Sequence, residues 1–263
     1  MVGCAARTWA TDRPDGFSEI EITGIHRLRD VLSLVLEVQE SRRITATLLN
    51  TFLGRATGER VLAGQIKRGD HENIRAVLLL ADLRGFTRLS DTMAREALIG
   101  LLDSYFECVV GSVHGQGGEV LKFIGDGLLA IFPIAGDARV AARAALTAAR
   151  DAETAIDGLN RSRTAAGEVP LRFGLALHVG DVFYGNIGAP DRLDFTVIGP
   201  AVNLVARIEA LNKPLDRTML ASAEFAAIAA EPLVPLGSQV LRGVREPQDV
   251  YAVPDRPAVG AAE

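Results

Sequence analysis

The sequence predicts an α+β domain preceded by a helical appendage, and three observations lead there. From Asn73 onward, apolar strand-like runs alternate with segments of helical period. A glycine-bracketed hairpin, GEVLKFIGDGLLAIF, stands among them, whereas the first 70 residues carry helical rather than strand patterning. With 263 residues the chain is long enough for one domain of about 150 to 200 residues with its own core and a shorter appendage. Hydrophobic residues at 48% and charged residues at 23% form an ordinary globular balance, which excludes disorder over most of the length.

Taken in order, Glu19 to about Phe52 has helical character, with Ile25, Leu28, Leu32 and Val35 at heptad-like spacing before a polar break at QESRR, Gln39 to Arg43. It reads either as a helix packed on its own domain or as a signal-transmitting or dimerising one. The charged stretch GQIKRGDHEN (Gly64 to Asn73) marks a boundary, so the expected organisation is an N-terminal segment 1–70, a main domain 71–254 and a frayed tail 255–263. IRAVLLLADL (Ile74 to Leu83) is a strand by its continuous apolar run. Arg95 to His114 is helical, with Leu98, Leu101, Leu102, Tyr105, Phe106 and Val109 on one side. In the hairpin that follows, Gly125, Asp126 and Gly127 supply turn chemistry. Asp137 to Leu159 is an alanine-rich helix, LRFGLALHVG and VFYGNIG are two strands, LDFTVIG another, and PAVNLVARIEAL a helix with Pro200 at its first position. Short strands at RTMLA, QVLRG and DVYAV and one more helix close the domain.

Bulk properties exclude several function classes. The formal net charge is −5 and the 28 basic residues are spread out, leaving no basic stripe for nucleic acid. Cys4 and Cys108 are far apart without CxxC or Cys/His spacing, which supports neither a disulfide framework nor a zinc site and suits a reducing compartment. Arg7, Asp12, Arg13 and Asp15 interrupt the start before a signal-peptide core could form, and no window approaches 18 uninterrupted apolar residues. The expectation is a soluble, cytoplasmic protein without a membrane segment.

The chemistry concentrates on a few polar residues inside apolar runs. Asp82 closes the first strand and Asp126 sits at the hairpin tip, with a helical crossover between them. A strand, crossover, strand unit is parallel, so both C-terminal ends reach one edge of the sheet. Singly, Asp82 reads as a cap and Asp126 as a turn residue. On a common edge, two carboxylates repel unless a hard divalent cation, magnesium or manganese, lies between them. Just after Asp82, Gly85 lets the backbone of LRGFT approach a ligand, and amides at a loop-to-helix junction can cradle phosphate. Lys122 shares one strand face with Val120 and Ile124, as either a snorkelling side chain or a donor to a ligand. On the later helix, Asn203 and Arg207 stand four apart on a narrow polar stripe, facing solvent or a ligand; Glu209 and Asn212 indicate that the helix is not wholly buried. His178 reads as packed, Asp181 and Asp194 as turn residues, and Glu119 and Asp103 as structural or solvated.

Together ADLRGFT, GGEVLKFIGDGLLAIF, LALHVGDVFYGNIG and RLDFTVIGPAVNLVARIEAL resemble the class III nucleotidyl cyclase catalytic domain, from roughly Arg75 to Ala252. The resemblance implies a ferredoxin-like sheet flanked by helices and a head-to-tail homodimer with two shared active sites. Asp82 and Asp126, with the Leu83 carbonyl, would hold two Mg²⁺ or Mn²⁺ ions per site. Gly85, Phe86 and Thr87 match the triphosphate-binding turn, and Gly125 belongs to the same substrate-binding hairpin. From the other subunit, Asn203 would orient the ribose and Arg207 would stabilise charge on the reacting phosphate. Arg242 and Arg172 would meet the terminal phosphates. Lys122 and Thr196 occupy the base-selecting positions; guanine readers in the family tend to carry glutamate where Lys122 stands, so ATP is favoured over GTP. Thr196 departs from the aspartate of many adenylyl cyclases and marks a largely bacterial subgroup related to bicarbonate-responsive enzymes. The first 70 residues resemble the end of an upstream input domain and its connecting segment. The implied activity is adenylate cyclase, with guanylate cyclase or a silent nucleotide-binding module as the alternatives.

Overall fold

Helix α1 (Glu19–Leu53) starts at a capping box in which the Ser18 side chain accepts from the Glu21 amide, while the Ser18 amide donates to the Glu21 carboxylate at 2.9 Å. The expected break at Gln39–Arg43 does not occur. That stretch is polar but contains neither Gly nor Pro, and Glu40 and Arg43 form an i,i+3 ion pair of 2.6 Å across it. At Gly54, with φ of 82°, the chain turns into α2 (Arg55–Leu62), which docks through the buried residues Thr57 and Gly58. The computed structural model describes residues 9–254 apart from 66, 68, 70 and 190, so the expected tail 255–263 lies outside the described residues.

The main sheet combines β1 (His71–Leu83), β2 (Glu119–Ile124), β3 (Gly127–Pro133), β4 (Phe173–Ala189), β6 (Met219–Ser222), β7 (Val234–Gln239) and β8 (Gln248–Ala252) in the order β2-β3-β1-β4-β6-β8-β7. Strand β5 (Arg192–Ile198) pairs with β4 off this path. Both β1 and β2 run antiparallel to β3, which lies between them, so β1 and β2 are parallel to each other. Helices α3 (Phe86–Thr92), α4 (Arg95–Gly115), α5 (Ala138–Ala165), α6 (Pro200–Ala210) and α7 (Ala223–Ala226) complete the chain. This is the α+β class and helix-flanked sheet that the sequence predicts.

One core lies between the sheet and α4 and α5, where Tyr105, Val109 and Val113 meet Ala142, Ala145 and Ala149 over Val77, Leu79 and Leu128. A second core lies under α6, where Val205 and Ile208 cover Leu78, Leu129 and Ala176. Burial on both faces explains why β1 is continuously apolar from Ala76 to Ala81. Among the described residues only α4 is long and apolar enough to cross a membrane by length and composition; here its Leu101, Tyr105, Val109 and Val113 are buried.

Two strand assignments need correction. The two strands expected at LRFGLALHVG and VFYGNIG are one, β4, running through Gly180. A Cβ there would come within 2.6 Å of the Ala201 Cβ, so this glycine admits α6 rather than turning the chain. Asp181 accordingly lies in the ladder opposite Arg75, and Asp194 lies within β5, neither at a turn. The strand expected at QVLRG forms instead at Val234–Gln239. Leu241 is buried, and a turn follows it that closes from the Val244 amide to the Leu241 carbonyl at 3.0 Å.

Candidate active site

Asp82 occupies the last pair of the β1–β3 ladder, directly opposite Gly127 and therefore beside the β2–β3 hairpin tip. A Cβ on Gly127 would stand 2.8 Å from both the Ala81 carbonyl oxygen and Asp82 Oδ1, so only glycine allows the aspartate to lie over the hairpin. Gly125, with φ of 63°, makes the tight turn that presents Asp126 at the same edge. Gly85 has φ of 77° and caps α3, redirecting the chain so that Gly85, Phe86 and Thr87 line a cleft with both aspartates.

That cleft, of about 800 Å³, is also lined by Leu83, Arg172, Glu209 and Lys213. Burial, reinforced by the charge of Asp126, pushes the Asp82 carboxyl up to about 6. Burial likewise raises Asp126. Glu209 is raised by burial and then by Asp82. It forms a third carboxylate at this edge, which sequence reasoning missed by treating it as a mark of solvent exposure. The companion mark was wrong in the other direction: Asn212 is 1% exposed and donates to the Leu175 carbonyl at 3.1 Å.

Among the described residues no three His, Cys, Asp or Glu side chains form a metal-holding group. Two crowded carboxylates with a neighbouring carbonyl instead suit magnesium or manganese, whose remaining positions are filled by water and substrate phosphate. The oxygen-only donor set and the electrostatic tension at Asp82 both fit such a cation. Arg172 reaches the cleft but its guanidinium pairs with Asp216 at 3.1 Å. Arg84, also lining the cleft, donates to the Arg217 carbonyl.

The remaining sequence-predicted residues do not line this cleft. A bulge between Val120 and Lys122 shifts the register of β2, pairing Val120 with Ala130 of the α4–α5 core and Lys122 with Leu129 of the α6 core. Lys122 therefore does not share a face with Val120, as strict alternation had implied. Its ammonium lies 3.8 Å from Asp194 Oδ2. Two residues along β5, Thr196 is 3% exposed, and its Oγ1 has no hydrogen-bond partner. On α6, Asn203 is exposed and Arg207 half-buried, with its guanidinium beside Gly243. Arg242 is exposed in the same β7–β8 turn. His178 is packed, with Nδ1 2.8 Å from Ser222 Oγ. Glu119 accepts hydrogen bonds from Tyr184 and Thr57, a structural role.

Residues 68–225 match the family described as the Adenylate and Guanylate cyclase catalytic domain. Adenylate cyclase 1 of Rhizobium meliloti is 29% identical across 66% of this chain, and an adenylate cyclase of Anabaena cylindrica 33% across 56%. The matches span 27% and 29% of those two proteins, so the chain corresponds to under a third of their length. Among solved structures, the adenylyl cyclase CyaB from P. aeruginosa superposes with a TM-score of 0.65 at 26% identity, covering 72% of this chain and 98% of that one. The guanylyl cyclase Cya2 superposes with a TM-score of 0.61 at 27% identity, covering 69% and 92%. With the family matched over more than half its length and the carboxylate pair, glycine turn and hairpin on one sheet edge, this chain belongs to the adenylate and guanylate cyclase catalytic-domain family.

Proposed function

We propose that the chain is an adenylate cyclase that closes ATP into 3',5'-cyclic AMP with release of pyrophosphate, at sites shared by two copies arranged head to tail. The supporting observation is the division of polar groups within one chain. Asp82, Asp126 and the Gly85–Thr87 turn line one cleft, whereas Lys122, Thr196, Asn203 and Arg207 lie outside it. In this reading a nucleotide touching both sets draws the first from one copy and the second from another.

Lys122 donates to the adenine N1 acceptor and the buried, unpartnered Thr196 hydroxyl accepts from the N6 amine. Asn203 orients the ribose. The triphosphate extends towards Gly85, Phe86 and Thr87, with Arg172 and Arg242 at its terminal phosphates. Magnesium or manganese, held by Asp82, Asp126 and the Leu83 carbonyl, when bound supplies acidity to the ribose 3'-hydroxyl and neutralises charge on the pyrophosphate. The 3'-oxygen forms a bond to the α-phosphorus as the bond to the bridging oxygen breaks, and the hydroxyl proton leaves to solvent. Arg207 stabilises the charge that develops on the phosphoryl oxygens.

A cytoplasmic setting, where ATP is available, and an upstream sensor acting through α1 belong to the same proposal. Incubation of the purified chain with Mn²⁺ and either ATP or GTP, followed by identification of the product, tests it. Cyclic AMP from ATP is expected. Cyclic GMP alone would reassign the base site, and no cyclic product from either would remove the cyclase reading.

A further inference from the structure

Lys122 and Thr196 stand on strands that no backbone ladder joins. Strand β2 is the edge of the sheet, bonded only to β3, and β5 hangs from β4 alone. They are connected only indirectly, through the ladders of β3, β1 and β4, so their separation, which decides whether one purine base can reach both side chains, also depends on side-chain contacts. Besides the Lys122–Asp194 contact, a hydrogen-bonded and stacked cluster centred on α2 bridges them.

Glu119, three positions before Lys122, accepts from Tyr184 of β4 at 2.6 Å through Oε2 and from Thr57 of α2 at 3.1 Å through Oε1. Tyr184 is the ladder partner of Val197, next to Thr196. The Arg60 guanidinium of α2 stands 4.6 Å from the Tyr184 ring centre and 5.7 Å from that of Phe195, the residue before Thr196. Arg60 is itself fixed by Glu72 of β1 at 2.6 Å. The α1–α2 corner also abuts β2 where its bulge begins, since a Cβ on Gly54 would lie 3.4 Å from the Val120 carbonyl oxygen. Thr57 at 2% exposure shows that this contact is packed.

We infer that α2 is the strut that sets the spacing of the two base-facing strands, with Glu119, Tyr184 and Arg60 as positioning residues for Lys122 and Thr196. The inference rests on the cyclase reading for its ligand but not for its mechanics.

The test uses the full chain with Tyr184→Phe, which keeps the ring under Arg60 but removes the donor to Glu119, and Arg60→Met, which keeps the packed stem but removes the charge. Without nucleotide, amide exchange is measured over 119–124 and 192–198. With a non-hydrolysable ATP analogue and Mn²⁺, Kd is measured by calorimetry, and KM and kcat are measured with ATP. Loss of a hydrogen bond to a charged acceptor predicts faster exchange in both strands and a Kd and KM raised about 5- to 20-fold, with kcat within about twofold. A lowered unfolding midpoint with Kd and KM unchanged would overturn the inference and leave α2 as a cover. If the parent chain takes up no analogue, the cyclase reading fails separately; unchanged exchange in both variants would then overturn the strut as well.

Discussion

If a site is built from two copies, two inactive variants with damage in different halves must restore each other. Asp126→Ala removes one carboxylate from the cleft edge, and Arg207→Ala removes the guanidinium beside Gly243, outside that cleft. Neither change should unfold the chain. Asp126 is raised by burial and holds Asp82 up by like charge, so its removal relieves repulsion, while Arg207 forms no ion pair among the described residues. Each variant alone should lose about 10²- to 10³-fold in cyclic AMP formation, the scale for removing a group that stabilises transition-state charge. At a one-to-one ratio, random reassortment makes half of the dimers mixed, and each mixed dimer has one intact site of two. Recovery should therefore reach about a quarter of the parent activity per chain. The assay is cyclic AMP production from ATP with Mn²⁺ after the variants have been mixed and allowed to exchange subunits. Asp126→Ala mixed with Asp82→Ala serves as the control and should recover nothing, since every site lacks one carboxylate. Background activity in the first mixture, or equal recovery in the control, would refute the division of residues between copies.

Two glycines at the carboxylate edge should fail in different ways. Gly127→Ala drives a methyl group against the Ala81 carbonyl and Asp82 Oδ1, each 2.8 Å away, and should cost about 1 to 3 kcal/mol in urea unfolding while weakening Mn²⁺ binding by calorimetry. Gly85→Ala meets no atom within 4 Å but keeps φ of 77°, so a loss of about 1 kcal/mol from backbone strain alone is expected; the reverse ranking would undo the packing argument. His178 predicts a pH effect. Burial, opposed by the Glu224 charge, lowers its affinity for a proton below the ordinary value of 6.5. The unfolded chain then binds that proton more readily, so this contribution to stability is present above about pH 6.5 and is lost as pH falls through the lower folded value. The urea midpoint should drop on acidification through that range, and His178→Asn, which keeps an acceptor near Ser222 Oγ, should flatten that part of the profile.

The legible parts of this protein were those where burial imposes a period on the sequence. β1 is continuously apolar from Ala76 to Ala81 because α4 and α5 cover one face there and α6 the other, and the helical stripes of α4, α5 and α6 follow from their single buried sides. The carboxylate edge was legible because crossover geometry alone brings two strand ends together, whatever their side chains. Where one local signal has two physical causes, the reading failed. Gly180 followed by Asp181 has turn chemistry, yet the glycine answers a close approach by Ala201 that no local pattern records. Helix α2 offers only a short segment between Gly54 and Gly64, and its docking depends on Thr57, Gly58 and Arg60 rather than an apolar stripe.

The Lys122 error is the most instructive of these, because it bears on chemistry rather than on element bounds. Alternation fixes which face a strand residue takes only while the ladder advances one residue for one, and a bulge that inserts one residue reverses every face beyond it. At Leu121 that reversal transfers the ammonium from the face of Val120, above the α4–α5 core, to the α6 side, where Asp194 and β5 stand. Without it, Lys122 would face the helices and could not meet a ligand approaching Thr196. In the proposed site the bulge therefore matters as much as the lysine, and the α1–α2 corner at Gly54 rests against the carbonyl of Val120 where it begins. A regular strand in its place would keep every predicted site residue in the sequence and still separate the proposed base-reading pair.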